Sequence, residues 1–280
     1  MTVPRTIVTT SWDDGHPRDV ELAELLSELG IRGTFYVAPH SRERPPIGTG
    51  ALRELAGQFE IGAHSVTHSP LTRLAERELR REVCESKHML EDVLGAEVPV
   101  FCYPRGLYNR RVRRAVMDAG FRCARTTTEF HLDAGDDPWS MPTTLQAYPH
   151  ALWMRVYHGT KTFNWRGLAS LFGTGPGKSW VELARAFFER ALAGGGVWHL
   201  WGHSWEIEEQ GLWEDLRTVL GAVSRRPGVQ YVANGQLVSC VEAGNCATGR
   251  TGIPAGVKGT RLNTDSHDQT NAPYVGRKYQ

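Results

Sequence analysis

Apolar runs and amphipathic segments alternate regularly through the first half of the chain. Short β-branched or aromatic runs predict strands, and the segments between them carry apolar residues at helical spacing. Gly30, Gly95 and Gly120 each follow such a helical segment, as glycine does where a helix ends. The repeated order of strand and helix favours a parallel sheet or barrel, whose chemistry lies where the strands end. The predicted strands are residues 6–10, 33–38, 59–63, 98–103 and 121–127, and the predicted helices are residues 19–29, 51–58, 70–94 and 109–119.

The second half of the chain keeps this pattern only in part. Between about residues 145 and 178, aromatic residues, glycines and histidines alternate without a clean period, which predicts a long insertion or lid. Helices are predicted at 180–192 and 211–223, and strands at 196–202 and 229–232. We expect one domain over residues 1–244 and a polar tail over residues 245–280, disordered or draped on the surface.

Composition and charge exclude several classes of protein. The formal net charge of +1 gives no bulk attraction to nucleic acid or to a membrane surface. The basic run at residues 110–114 alternates with Val112 and Ala115, as the solvated face of a helix does. No apolar stretch approaches the ~20 residues of a membrane span, and the first residues lack a signal-peptide pattern. Five cysteines without a C-x-x-C pair indicate reduced thiols, so we expect a cytoplasmic protein.

Two pairs of residues carry candidate metal chemistry. His64 and His68 are spaced so that one helical turn would bring both imidazoles to a shared cation, although they could equally be polar residues of a turn. Asp13 and Asp14 end the first strand, where an Asx turn or a helix N-cap would use one carboxylate. The metal interpretation uses both, with one as ligand and the other as general base. A set of two histidines and Asp14 is typical of catalytic zinc, while cobalt, nickel or iron would also fit.

These residues resemble the motifs of the polysaccharide deacetylases with a NodB homology domain, carbohydrate esterase family 4. SWDDG at residues 11–15 is similar to the first motif of that family, TFDDG, and HSVTH at residues 64–68 matches its H-S/T-x-x-H motif. The resemblance extends over roughly residues 5–240. Three further motifs follow in order, namely FCYPRG (101–106), DDPWSMP (136–142) and HLWGHS (199–204).

The resemblance implies a distorted (β/α) barrel and a metal-dependent amide hydrolase that removes an N-acetyl group from an amino sugar. Carried over by position, Asp13 would be the general base, His203 the general acid, and the backbone N–H of Arg105 an oxyanion donor. The cofactor implied is a divalent metal, with zinc as the default. The implied metal ligands are Asp14, His64 and His68, and the implied substrate contacts are Tyr103, Pro104, Trp139 and Trp201.

Some positions are choices or departures from the family pattern. His203 is favoured over His199 because it falls at the carboxyl end of the predicted strand, whereas His199 falls in mid-strand. Glu206 could hydrogen-bond His203 and raise its pKa, or it could be solvated. Many family members carry an arginine that orients the base aspartate where this chain has Cys102. Arg105 could contact the base or a substrate anion, or lie in solvent.

The sequence therefore predicts a hydrolase acting on a carbohydrate or a sugar-containing small molecule. Aromatic residues of the insertion could shape a sugar cleft, or serve packing or an oligomer contact. One alternative is hydrolysis of a linear or cyclic non-sugar amide such as allantoin. A second alternative is a catalytically silent metal-binding or carbohydrate-binding module. No partner other than the small-molecule or oligosaccharide substrate is predicted, and the oligomeric state is left open.

Overall fold

The computed structural model describes residues 6–242, so the predicted tail at residues 245–280 lies outside the described residues. Strands and helices alternate along this range. The strands are β1 (Thr6–Asp14), β2 (Gly33–Val37), β3 (Glu60–Ala63), β4 (Val100–Cys102), β5 (Cys123–Arg125), β6 (Leu145–Gln146), β7 (Gly196–Gly202) and β8 (Val229–Tyr231). The helices are α1 (Asp19–Leu29), α2 (Thr49–Ala56), α3 (Glu76–Leu94), α4 (Arg110–Asp118), α5 (Leu152–Lys161), α6 (Trp165–Thr174), α7 (Trp180–Gly194), α8 (Ser204–Glu209), α9 (Trp213–Val223) and α10 (Asn234–Glu242). Three short 3₁₀ helices lie at Leu71–Arg73, Pro104–Gly106 and Pro138–Ser140.

The strands form one parallel sheet in the order β5-β4-β3-β2-β1-β7-β6. Strand β1 is its centre: β7 pairs with Thr6 to Trp12, β2 with Thr10 to Asp14, and the short β8 with Thr6 to Val8. All nine residues of β1 are buried, as expected for a parallel strand covered on both faces.

The sheet curls until its two ends nearly meet. Residues 141–146 span the gap, because Met141 donates its backbone N–H to Ala124 of β5 and Thr144 donates its own to His199 of β7. The result is the distorted (β/α) barrel predicted from the sequence. Its carboxyl edge collects the loops that follow β1, β3, β4 and β7.

Two layers of side chains form the core. The larger layer packs the outer face of the sheet against the helices, and the smaller one fills the barrel interior. The interior layer contains Ile7, Tyr36, Val100, Cys102, Cys123, Met141, Val197, Val232 and Leu237.

Most predicted elements are confirmed, and several differ. Strand β1, predicted at residues 6–10, continues to Asp14. The helix predicted at residues 70–94 begins only at Glu76, after the 3₁₀ turn Leu71–Arg73, and Ala75 is its N-cap. Helices α8 and α10 had no sequence prediction, since both are short and follow a strand almost directly.

The stretch at residues 145–178 contains β6 and the helix pair α5 and α6. Its aromatic side chains are largely exposed: Trp153 is 67% and Trp165 is 61% accessible to solvent. Packing in the core therefore does not explain them. Whether this stretch is an insertion in the domain stays a prediction.

Among the described residues, Cys84, Cys102 and Cys123 are free thiols. Within residues 6–242 we found no helix with the length and apolar character needed to cross a membrane.

Candidate active site

The carboxyl end of β1 places two aspartates side by side with different surroundings. Asp13 is buried and accepts a hydrogen bond from the guanidinium of Arg125 on β5. Asp14 has a φ of 84°, a left-handed conformation that non-glycine residues adopt rarely. Its Oδ2 accepts a hydrogen bond of 2.8 Å from Nε1 of Trp205, and its Oδ1 is buried without a hydrogen-bond partner.

The loop at residues 64–68 carries both candidate histidines, but the helical turn expected from their spacing is wrong. Ser65 and His68 have positive φ values of 61° and 58°, so the loop folds back on itself. The carboxylate of Glu82 on α3 holds it there, accepting from the backbone N–H of Val66 (3.0 Å) and of Thr67 (2.9 Å). A tertiary contact therefore decides this local conformation.

The loop nevertheless brings Nε2 of both histidines to Asp14. Oδ1 of Asp14 lies 3.8 Å from Nε2 of His64 and 3.5 Å from Nε2 of His68. Ligands about 2.0–2.1 Å from a tetrahedral metal lie roughly 3.3–3.5 Å apart, so these separations suit a cation between the three atoms. The unpartnered Oδ1 of Asp14 is the atom that such a cation would satisfy.

The protonation states of these residues also suit a cation. Burial lowers the pKa of His64 to about 4, so its imidazole is neutral at pH 7. Nδ1 of His64 lies 2.8 Å from the carbonyl of Cys102, and donation there leaves the Nε2 lone pair free for a metal. Burial opposes ionisation of Asp14, but the neighbouring His203, His68 and His64 lower its pKa to about 2.

A second cluster of Asp13, His64 and Cys102 is also close enough to share a cation. It suits a metal less well, since burial keeps the pKa of the Cys102 thiol far above its ordinary value and a thiol must be deprotonated to bind. Asp13 is moreover already paired with Arg125. The donor set therefore favours Asp14, His64 and His68 as ligands.

His203 directly follows β7 at the carboxyl edge of the sheet, where it is the N-cap of α8. Its Nδ1 donates to Oε2 of Glu206 at 2.6 Å, which resolves the open question about Glu206 in favour of contact. Burial would lower the pKa of His203, but Glu206, Asp14 and Asp13 together raise it to about 9. The imidazole is therefore protonated at neutral pH, as a general acid must be.

A chain of hydrogen bonds extends outward from the pair of His203 and Glu206. Nε2 of Gln146 donates to Oε2 of Glu206 at 2.9 Å, and Nε2 of His150 lies 2.8 Å from Oε1 of Gln146. The segment that contains α5 is thus joined to His203 by hydrogen bonds.

The loop after β4 carries the predicted oxyanion donor and two of the predicted substrate contacts. Arg105 has a φ of 59°, and its side chain forms an ion pair with Glu43. Oε2 of Glu43 also lies 3.3 Å from Nδ1 of His68, so Glu43 connects this loop to a candidate ligand. Tyr103 and Pro104 are buried, and the Tyr103 hydroxyl donates to the carbonyl of Trp139 at 3.0 Å.

Trp201 and His199 point from β7 into the barrel. Trp201 is only 7% exposed and packs near Arg125, so it lies beneath the site and not on an open wall. His199 is 1% exposed and its Nε2 lies 2.9 Å from the Ser11 hydroxyl. The preference for His203 over His199 at the strand end agrees with this geometry.

Sequence reasoning missed four residues that shape the site: Arg125, Trp205, Glu82 and Glu43. Arg125 falls inside the strand predicted at residues 121–127, whereas the structure ends β5 at Arg125, and strand ends were the signal for the other site residues. The signal for Trp205 was its position two residues after His203. Glu82 and Glu43 carry no local signal, because their partners lie far away along the chain.

Comparisons with known proteins show what this chain is similar to. Residues 1–124 match the family model described as polysaccharide deacetylase. The chain is similar to YxkH of Bacillus subtilis (strain 168), which is assigned to the polysaccharide deacetylases, with 23% identity over 123 residues. That match spans 43% of this chain and 44% of YxkH, less than half of the relative's length.

Two solved structures share the fold over most of their length. One is a Mycobacterium smegmatis protein, likewise assigned to the polysaccharide deacetylases, with 18% identity, a TM-score of 0.63 and coverage of 94% of this chain and 97% of that one. The other is a chitin deacetylase from the fungal pathogen Colletotrichum lindemuthianum, with 14% identity, a TM-score of 0.56 and coverage of 84% and 88%. At these identities the similarity shows the fold alone.

Proposed function

We propose that the protein is a metal-dependent amide hydrolase that removes an N-acetyl group from an amino sugar, because residues 1–124 match the polysaccharide deacetylase family model. The observation that carries the proposal is the unpartnered Oδ1 of Asp14, 3.5 and 3.8 Å from Nε2 of His68 and His64. Buried charged groups without a partner are costly, so three converging donor atoms with one unsatisfied oxygen support a cation site.

Hydrolysis of an amide needs an activated water, a polarised carbonyl and a proton for the leaving amine. A divalent cation held by Asp14, His64 and His68, for which zinc is the default, would polarise the carbonyl and lower the pKa of the attacking water. Asp13 would accept the proton of that water. Burial would raise the pKa of Asp13, but Arg125 and the nearby histidines hold it below the ordinary value, so the carboxylate is ionised.

His203 would supply the proton for the leaving nitrogen. Its Nδ1 is engaged with Glu206, so the proton to be transferred resides on Nε2. The charge that develops on the carbonyl oxygen would be stabilised by the backbone N–H of Arg105. Tyr103 and Pro104 belong to this loop, the Tyr103 hydroxyl donates to the carbonyl of Trp139, and we expect Trp139 to border the acyl group.

The substrate class rests on the match to the family model. An N-acetylated amino sugar, free or in an oligosaccharide, presents the neutral amide that this set of groups can cleave. A linear or cyclic non-sugar amide would use the same chemistry, and no feature of the described residues favours it over a sugar.

The direct test measures acetate release from N-acetylated monosaccharides, nucleotide sugars and chito-oligosaccharides after chelation and after addition of Zn²⁺ or Co²⁺. Metal-dependent acetate release would support the proposal and begin to define the substrate. Allantoin and succinimide belong in the same panel, because ring opening without acetate would replace the sugar deacetylase by a cyclic amide hydrolase. Stoichiometric metal with no amide cleaved would contradict the proposed activity.

A further inference from the structure

We propose that Arg125 is the positioning residue of the general base, taking from β5 the role that Cys102 on β4 leaves vacant. This inference rests on the proposed function, because it presumes that Asp13 is the base. Its starting point is the strand register: Cys102 and Arg125 are direct partners in the parallel pairing of β4 and β5. A side chain from either position therefore enters the barrel interior at the same level, and a longer side chain from β5 reaches the same carboxylate.

The guanidinium of Arg125 has no exposure to solvent and pairs with Oδ1 of Asp13. Its centre lies 5.0 Å from the Trp201 ring and 5.3 Å from the Tyr36 ring, so two aromatic faces confine it. Within residues 6–242, Asp13 is its only ion-pair partner. A rigid planar cation held in this way permits little movement of the carboxylate it binds.

Burial of this cation is not explained by stability. A buried ion pair is often no more stabilising than apolar residues of the same volume, because desolvation of both charges offsets their attraction. Nε of Arg125 is moreover buried without a hydrogen-bond partner, which adds to the cost. We therefore infer that the arginine is there to hold the carboxylate of Asp13 fixed and ionised.

Cys102 complements this arrangement by being small. Its Sγ lies 3.7 Å from Oδ2 of Asp13, so the thiol contacts the second carboxylate oxygen while leaving room for Arg125 to cross from β5. Arg125 occupies Oδ1, so the proton of the water would go to Oδ2, which also accepts from the Cys102 thiol. The family arginine and Arg125 would thus orient the same carboxylate from neighbouring strands.

The test compares Arg125→Met with the exchange variant Cys102→Arg/Arg125→Cys, which moves the guanidinium back to β4. We expect Arg125→Met to lower kcat about 10- to 100-fold, the range typical for residues that orient a reacting group. KM and metal stoichiometry should stay near wild type, because neither substrate nor metal touches Arg125. The exchange variant should recover at least a tenfold part of the lost kcat.

Two further variants keep the test decisive. Arg122→Met removes an exposed arginine three residues before Arg125 and serves as the matched control, with no expected change in kcat. Arg125→Lys keeps the charge but not the planar fork, so it should fold and show an intermediate kcat; it replaces Arg125→Met as the reference if that variant does not fold.

Either of two results would overturn the inference: a near wild-type kcat in the reference variant, or a folded, metal-loaded exchange variant no more active than that reference. Asp13→Asn separates this failure from failure of the proposed function. If Asp13→Asn abolishes turnover while Arg125→Met does not, only the role of Arg125 is wrong. If Asp13→Asn remains active, Asp13 is not the base and the proposed mechanism fails with it.

Discussion

Two clusters of buried polar side chains lie inside the same barrel, and they differ in whether their hydrogen bonds are satisfied. Towards the amino ends of β2 and β3, Asn234 of α10 accepts from Thr9 and donates to Tyr36, each at 2.9 Å. Glu60 accepts from Thr34 at 2.7 Å and from the backbone N–H of Gly235 at 3.0 Å. None of these side-chain atoms is left buried without a partner.

At the carboxyl edge, some buried polar atoms have no hydrogen-bond partner. Oδ1 of Asp14 and Nε of Arg125 are both buried without a hydrogen-bond partner. The amino-edge cluster docks α10 into the barrel and contributes to stability, whereas the carboxyl-edge cluster is arranged for a ligand. The two clusters therefore differ in how far their hydrogen bonds are satisfied, although both are built from buried polar side chains.

The largest effect should come from His64→Ala. Loss of one of three ligands should remove the bound metal and reduce activity to background, while α10 and its contacts stay intact. Metal analysis of the dialysed protein measures the first effect and acetate release the second. Full metal occupancy in this variant would show that His64 is not a ligand.

Asp13→Asn should have the next largest effect. The variant keeps all three metal ligands, so metal content should be unchanged, but turnover should fall about 10²- to 10⁴-fold because the water loses its base. Activity assays on protein of measured metal content separate this variant from His64→Ala. Near wild-type turnover would remove Asp13 from the mechanism.

Asn234→Ala tests the satisfied cluster. The substitution leaves the hydroxyls of Thr9 and Tyr36 without a partner in a buried site, so the free energy of unfolding should fall by about 1–3 kcal/mol. Because the catalytic edge is untouched, kcat should not change at 25 °C. Urea unfolding measures the loss, and Ser239→Ala on the exposed side of α10 is the control.

Glu206→Gln should have the smallest effect, visible only as a shift in the pH profile. Glu206 helps to raise the pKa of His203 to about 9, so loss of its charge should move that pKa down towards the ordinary value. A general acid must be protonated, so the alkaline limb of kcat should shift to lower pH, with about a tenfold loss at pH 8. Glu208→Gln, two residues further on and exposed, should leave the profile in place.

Several features of this protein follow from the sequence alone because they depend on neighbouring residues. The predicted bounds of α1 and β7 agree with the structure, since a glycine C-cap ends one and glycines flank the other. The order of strands and helices predicts the barrel, and strand ends predict that Asp13, Asp14, His64 and His203 converge. The spacing of these residues and the order of their motifs were sufficient to predict that they lie together.

Only the tertiary structure decided how those residues are held. The loop at residues 64–68 follows no helical turn because Glu82, on another element, binds its backbone. The partner of Asp13 is Arg125 because β4 and β5 pair in a register that places positions 102 and 125 side by side. Local sequence determines which conformations a segment favours, but contacts between residues distant in the chain determine which one persists and which charge stands beside the base.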